Sequence, residues 1–122
     1  MLTLWFRAVQ SPKQAEEDLQ RGYSYHQLEE YSDEELAEME ENDELEQLPN
    51  GDWVVPLNGI CGFDCPEQAL RFVQTTAFGP YIAVYTGRYA GCVYDGDLFK
   101  PKKLIEVIHK DDFKPDKYEE EE

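Results

Sequence analysis

The chain has 122 residues and a net charge of −16, from 27 acidic and 11 basic side chains. The length predicts one domain with a single hydrophobic core, and the charge argues against direct contact with nucleic acid or an anionic membrane surface. Because no apolar run approaches the roughly 20 residues of a membrane span, and the first residues lack a signal-peptide pattern, we expect a soluble, cytoplasmic protein.

The first predicted elements are a strand and a helix. Residues 2–9 form an apolar run that predicts a strand. Residues 11–14 (SPKQ) form a capping box with proline at the first helical position. A helix is therefore expected to run to about Gln20, with Gly22 as its left-handed stop. Residues 23–26 follow as an extended piece or a loop.

The most acidic part of the chain is residues 29–52, here called the acidic segment, which contains twelve acidic residues and no basic one. Residues 32–35 (SDEE) form a second capping box, with acids at the positive end of the helix dipole. The helix that follows has few apolar anchors, and like charges repel at helical spacing. This helix is therefore marginal alone, and a partner that bears cations would stabilise it.

The acidic segment ends in a predicted hairpin. Residues 45–48 and 53–55 are apolar runs that flank Asn50 and Gly51, the strongest short signal for a β-hairpin. Further along, a helix is expected over residues 65–74. Strands are expected over residues 81–89, 92–94 and 104–109, with a turn at Asp95 and Gly96 and with Pro101 before the last strand.

Together these elements predict an α+β fold. The expected domain spans residues 1–110 and has a mostly antiparallel, mixed sheet of about six short strands with two or three helices. Residues 111–122 alternate in charge and then become pure glutamate, so we expect an acidic, disordered tail. Tyr81, Tyr85 and Tyr89 share one strand face, which favours a packed core face over a binding surface.

Few side chains suggest a reaction. The chain has an odd number of cysteines, at positions Cys61, Cys65 and Cys92. Their spacing is not that of a zinc site, and their number fits a reducing compartment. We expect buried free thiols and neither a metal nor another cofactor. Glu106 lies on an apolar strand, and a carboxylate buried there needs a cation or hydrogen-bond donors. A structural ion pair with Arg7 or Arg88 is favoured over a catalytic role.

Several blocks of the chain resemble one family in the same order. They are residues 4–9 (LWFRAV), 21–24 (RGYS), 62–72 (GFDCPEQALRF), 81–85 (YIAVY), 95–101 (DGDLFKP) and 104–108 (LIEVI). They resemble the ADP-ribosyltransferase-like fold. The resemblance implies NAD as cofactor, with Arg7 holding the dinucleotide and Glu106 orienting the ribose. Since Phe63 and Cys65 stand where the family has serine or tyrosine, an inactive relative is also implied.

Three functional hypotheses stay open. The preferred one is an acidic inhibitor, without enzymatic activity, that imitates nucleic acid and blocks a basic partner such as a nuclease, as phage anti-defence and toxin immunity proteins do. The second is an ADP-ribosyltransferase-like NAD-binding enzyme or its degenerate relative, with Arg7 and Glu106 in one cleft. The third is an accessory domain whose acidity only keeps it soluble. The first hypothesis assigns partner contacts to Tyr31, Glu34, Glu35, Glu38, Glu41, Asp43, Glu44, Glu46 and Trp53.

Overall fold

The structure is a computed structural model that describes residues 2–93 and 96–118. This part of the chain contains three α-helices and seven strands, and the strands form two antiparallel sheets. This architecture confirms the predicted α+β class. The helices are α1 (Pro12–Arg21), α2 (Asp33–Glu41) and α3 (Pro66–Thr75). The strands are β1 (Thr3–Val9), β2 (Tyr25–Gln27), β3 (Glu46–Gln47), β4 (Trp53–Pro56), β5 (Ile60–Gly62), β6 (Tyr81–Val93) and β7 (Gly96–His109). Short 3-10 helices span Leu28–Glu30 and Pro115–Tyr118.

The four-stranded sheet carries the core, in the order β1-β6-β7-β5. β6 and β7 form a long antiparallel hairpin, and β1 pairs with β6 along its whole length. The two edges of this sheet also meet, since Phe6 and Phe63 exchange both backbone hydrogen bonds, at 2.8 and 2.7 Å. Because Phe63 directly follows β5, it covers part of a β1 edge that would otherwise be open to other strands.

Each face of the four-stranded sheet has its own hydrophobic cluster. α1 covers one face, where Trp5, Tyr85 and Phe99 are buried. α3 and residues 113–118 cover the other face, where Phe6 is buried. Successive residues of a strand point to opposite faces. A sheet covered on both sides therefore explains why β1 has bulky residues at neighbouring positions.

The local signals for turns and helix ends are confirmed, with one difference. The Ser11 hydroxyl accepts a hydrogen bond from the Gln14 N–H at 3.2 Å, and Gly22 ends α1 with φ of 81°. The Gln14 side chain accepts from the N–H of Gln10 rather than Ser11, so only half of the capping box forms. Gly51 has φ of 97° in the hairpin between β3 and β4.

The last two strands are longer than predicted. The expected strand over residues 92–94 is the end of β6, as far as Val93, and β7 begins at Gly96. Tyr94, the last residue of that expected strand, and Asp95, the first residue of the predicted turn, lie outside the described residues. The three strands expected over residues 81–89, 92–94 and 104–109 are therefore parts of the two arms of one long hairpin, because cross-strand pairing continues through a sequence that reads as interrupted.

Pro101 lies inside β7 instead of preceding it. The register between β6 and β7 shifts next to Gly87, which lies opposite Pro101. On its other side β7 pairs with β5 only at residues 97–99. A proline has no N–H to donate, and it is tolerated at an irregular position on an unpaired edge.

Residues 111–118, predicted to belong to a disordered tail, pack on the sheet. Phe113 is 5% exposed, and the ring of Tyr118 lies 5.1 Å from that of Phe6. The prediction of disorder is wrong for these residues because two aromatic rings bury enough apolar surface to order a charged segment. Residues 119–122 lie outside the described residues.

Candidate functional site

The acidic segment presents its charge to solvent. All twelve of its acidic residues are exposed: Glu29, Glu30, Asp33, Glu34, Glu35, Glu38, Glu40, Glu41, Asp43, Glu44, Glu46 and Asp52. Among residues 2–93 and 96–118, ion pairs form at Asp18 and Glu106, His109 lies 3.5 Å from Asp111, and none of these contacts involves the acidic segment. The described part of the fold therefore does not neutralise these carboxylates.

Half of these acids lie on α2, which has little contact with the rest of the domain. The helix has no buried residue, and only Leu36 and Met39 are half-buried. Its start is well capped, since the Ser32 hydroxyl accepts from the Glu35 N–H at 3.2 Å and the Glu35 carboxylate accepts from the Ser32 N–H at 3.1 Å. Its last turn contains no basic residue, so the negative end of the helix dipole adds to the nearby carboxylates.

A three-stranded sheet, in the order β2-β4-β3, forms the base of the acidic segment. Val54 and Val55 of β4 are buried, whereas Trp53 at the start of the same strand is 50% exposed. Glu46 lies opposite Val54 in the register of β3 and β4. The hairpin therefore carries an exposed indole on β4 and an exposed carboxylate on the neighbouring strand β3.

Trp53 borders a cleft of about 400 Å³ at the C-terminal end of α2. Its other lining residues are Leu28, Leu45, Glu40 and Asp43. Of the predicted contact residues, the structure brings Asp43 and Trp53 together here. Sequence analysis did not select the remaining three, although leucines on both sides of an acidic helix are a signal that could have indicated them.

Tyr31 lies at the opposite, N-terminal end of α2. Its hydroxyl is 2.8 Å from Nδ1 of His26 in β2. Burial, together with the charges of Glu30 and Glu35, raises the pKa of Tyr31 above its ordinary value. The hydroxyl therefore links the acidic segment to β2, and Tyr31 and Trp53 mark the two ends of one exposed helix.

A buried ion-pair cluster joins α1 to the four-stranded sheet. Asp18 is 2% exposed, and its carboxylate accepts from Arg7 Nε at 2.9 Å and from Arg21 Nη2 at 2.8 Å. Arg7 also donates from Nη1 to the Cys61 carbonyl at 2.8 Å. Sequence analysis missed Asp18. Its place on the buried face of α1, three residues after Ala15, is the signal that could have found it.

Arg7 and Glu106 do not share a cleft. Arg7 lies opposite Ala83 in the sheet and faces α1, where it binds Asp18. Glu106 lies opposite Val84, on the face that α3 and the C-terminal residues cover. Since neighbouring strand positions point to opposite sides, the convergence expected for a nicotinamide site does not occur.

A cleft of about 400 Å³ beside Arg7 is lined in part by Phe63, Phe72 and Phe78. Phe78 is 64% exposed, and its ring stacks on Phe72 at 5.4 Å. The guanidinium of Arg7 already donates hydrogen bonds to the Asp18 carboxylate and to a backbone carbonyl. The aromatic side of this cleft therefore gains little positive charge from Arg7 for binding an anionic dinucleotide.

Glu106 binds C-terminal residues rather than the predicted Arg7 or Arg88. Its Oε2 accepts from the Tyr118 hydroxyl at 2.6 Å and from Lys117 Nζ at 3.0 Å. The hydrogen bond from Tyr118, with the charge and hydrogen bond of Lys117, lowers the pKa of Glu106 below its ordinary value of 4.5. The predicted partners were wrong because a segment expected to be disordered supplies the donors.

We expect Tyr118→Phe to reduce the acid dependence of stability. Because the folded-state pKa of Glu106 is lowered, its contribution is fully present above the unfolded value of 4.5 and is lost as pH falls through the folded value. The variant keeps the ring on Phe6 and removes the donor. At neutral pH it should be less stable than the wild type by about 1 kcal/mol, a value reduced for the partly exposed carboxylate. Urea unfolding at neutral and acidic pH measures this.

The matched control for that variant is Tyr81→Phe, which also removes the hydroxyl of a half-buried tyrosine, but not the hydroxyl that binds Glu106. The difference in the free energy of unfolding between this control and the wild type should not change with pH. A stability loss in Tyr118→Phe that is the same in acid as at neutral pH would contradict the role given to Glu106.

Other kinds of site have little support. Within the described ranges, no group of three or more histidine, cysteine, aspartate or glutamate residues is placed to hold a metal ion. Cys61 and Cys65 are half-buried free thiols, and Cys92 is exposed, so the expectation of buried thiols is wrong for Cys92. None of the helices in residues 2–93 and 96–118 is long and apolar enough to cross a membrane.

Comparison of the chain with family models, with curated proteins and with solved structures gives no match. The acidic segment is the site with the most distinctive chemistry, because its charge is concentrated, exposed and unpaired within the described residues.

Proposed function

We propose that this protein binds a basic protein partner through the acidic segment and blocks the surface on which that partner holds nucleic acid. One observation carries the proposal: all twelve carboxylates of residues 29–52 are exposed, and none is paired within the described residues. Such a field attracts a basic surface and speeds its encounter with the protein.

The charge density of α2 supports imitation of nucleic acid. Six of its nine residues are acidic, and at a rise of about 1.5 Å per residue the helix carries one carboxylate per about 2 Å of its axis. Duplex DNA carries one negative charge per about 1.7 Å. A groove that binds a phosphate backbone would therefore meet a similar density of negative charge on this helix.

The distribution of charge argues against solubility as its only role. A surface that merely keeps a protein soluble is served by charges of both signs, interspersed over the molecule. Here the acidic segment has no basic residue at all, and its like charges destabilise α2 at helical spacing. A cationic partner would remove that repulsion, so the concentrated charge would contribute to binding such a partner.

The test compares two variants that lose the same number of charges. Glu34, Glu35, Glu38 and Glu41 become glutamine in the first, which keeps the helix and its capping box. In the matched control, the exposed Glu16, Glu17, Asp64 and Glu67 become their amides. Each protein is immobilised and presented with a cell lysate at low and at high salt, and captured proteins are identified by mass spectrometry.

We expect the wild type and the control to capture basic, nucleic-acid-binding proteins at low salt and to lose them at high salt. The variant in the acidic segment should capture far less, and added duplex DNA should compete with the wild type. Equal capture by both variants, or capture that salt does not weaken, would overturn the proposal.

A further inference from the structure

We propose, on the basis of the function above, that the cleft at the C-terminal end of α2 holds one arginine side chain of the basic partner. In this arrangement the guanidinium stacks on the indole of Trp53 and pairs with Glu40 and Asp43. The cleft thus anchors the partner at one point, while the remaining carboxylates contribute a diffuse field.

The shape and lining of the cleft suit a long side chain with an apolar stem. Its volume is about 400 Å³, and Leu28 and Leu45 line it together with Trp53. Trp53 is 50% exposed although the next two residues of β4 are buried. A large half-exposed aromatic ring in a concave site is typical of interface hot spots, where tryptophan and arginine are enriched.

The charge of the cleft selects a cation. Glu40 and Asp43 are its two carboxylates, and both are exposed and unpaired within the described residues. The last turn of α2 lacks a basic residue, so its dipole adds negative potential at the same end. A cation over an aromatic face, held by carboxylates, combines two favourable electrostatic contacts in one place.

Arginine fits this combination better than lysine. Its guanidinium is planar, stacks on aromatic rings, pairs with carboxylates through two parallel hydrogen bonds and loses less hydration than an ammonium group. The protein already contains the same chemistry within its own fold. Arg21 lies 5.6 Å and 5.3 Å from the ring centres of Tyr23 and Tyr25 while it binds Asp18.

The experiment titrates ¹⁵N-labelled protein with octaarginine or octalysine peptides and follows the two indole N–H signals by NMR. Trp5 is 3% exposed and reports that the fold is intact, whereas Trp53 reports the cleft. Affinity is measured in parallel by fluorescence anisotropy. The variant is Glu40→Gln with Asp43→Asn, since asparagine tolerates the left-handed φ of 59° at that position. The matched control is Asp33→Asn with Glu34→Gln, at the other end of α2.

We expect octaarginine to shift the Trp53 signal and octalysine to shift it much less. The cleft variant should bind octaarginine about tenfold more weakly than the control variant, because both lose two charges but only one loses the pocket. Binding without a Trp53 shift, an equal loss in both variants, or an equal shift with octalysine would overturn the arginine pocket and leave the proposed function standing. If neither peptide bound at low salt, both the arginine pocket and the proposed function would be overturned.

Discussion

Replacing Asp18 with alanine should lower the free energy of unfolding by about 3 kcal/mol. Asp18 is 2% exposed and holds Arg7 and Arg21 at 2.9 and 2.8 Å. Removal of one partner from a buried ion pair leaves the other charges uncompensated. The side chains of Arg7 and Arg21 are 17% and 24% exposed to solvent, which places the loss at the lower end of the usual range. Chemical denaturation in urea measures it.

Glu17→Ala is the matched control, because it removes a carboxylate from an exposed position of the same helix. Its effect should stay within about 0.5 kcal/mol. Asp18→Asn should behave more like Asp18→Ala, since the amide offers one acceptor oxygen where the two guanidinium groups use two. If Asp18→Ala and Glu17→Ala were equally stable, the cluster would have no structural role.

Replacing Phe113 with alanine should also cost about 3 kcal/mol. Phe113 is 5% exposed, lies edge-on to Phe6 at 6.1 Å and stacks on Tyr118 at 5.4 Å. The substitution opens a cavity at one face of the sheet and loosens the segment that supplies the hydrogen bonds to Glu106. A disordered tail would instead tolerate the change without measurable loss.

Lys114→Ala is the control for this experiment, because Lys114 is exposed beside the buried ring. Urea denaturation gives the two stabilities, and limited trypsin digestion reports release of the C-terminal segment through cleavage at Lys117. We expect faster cleavage only in Phe113→Ala. Equal stability of the two variants would show that residues 111–118 do not stabilise the domain.

Salt has opposite effects on the acidic segment and on its proposed complex. Within α2, dissolved ions screen the repulsion between carboxylates and therefore favour the free helix. Across an interface with a basic partner, the same ions screen the attraction and weaken binding. A protein that used its acidity only for solubility would show the first effect without the second, which is why salt dependence separates the two hypotheses.

Much of the fold could be predicted because its signals are local. Local interactions between residues a few positions apart form the cap at Ser11, the left-handed Gly22 and the Asn50-Gly51 hairpin. The free energies of these features therefore depend on the residue types at those positions. The acidic segment was likewise found from composition alone. Its exposure follows from the cost of burying unpaired charge.

The side-chain partners could not be predicted because they are distant in the chain. Asp18 lies eleven residues from Arg7, and Glu106 lies twelve from Tyr118. Strand register determines which face each of them joins, and no local pattern contains that register. Arg7 and Glu106 therefore looked like candidates for one cleft, although the pairing of β1, β6 and β7 places them on opposite faces.

The sequence by itself determined the α+β class, the turns and the place of the exposed charge, since propensity, capping and desolvation act on neighbouring residues. Tertiary structure alone decided which charges are paired, that residues 111–118 pack on the sheet, and that Trp53 meets Glu40 and Asp43 in one cleft. These outcomes depend on contacts between segments far apart in the chain, whose free energy arises only when the sheets form and bring those segments together.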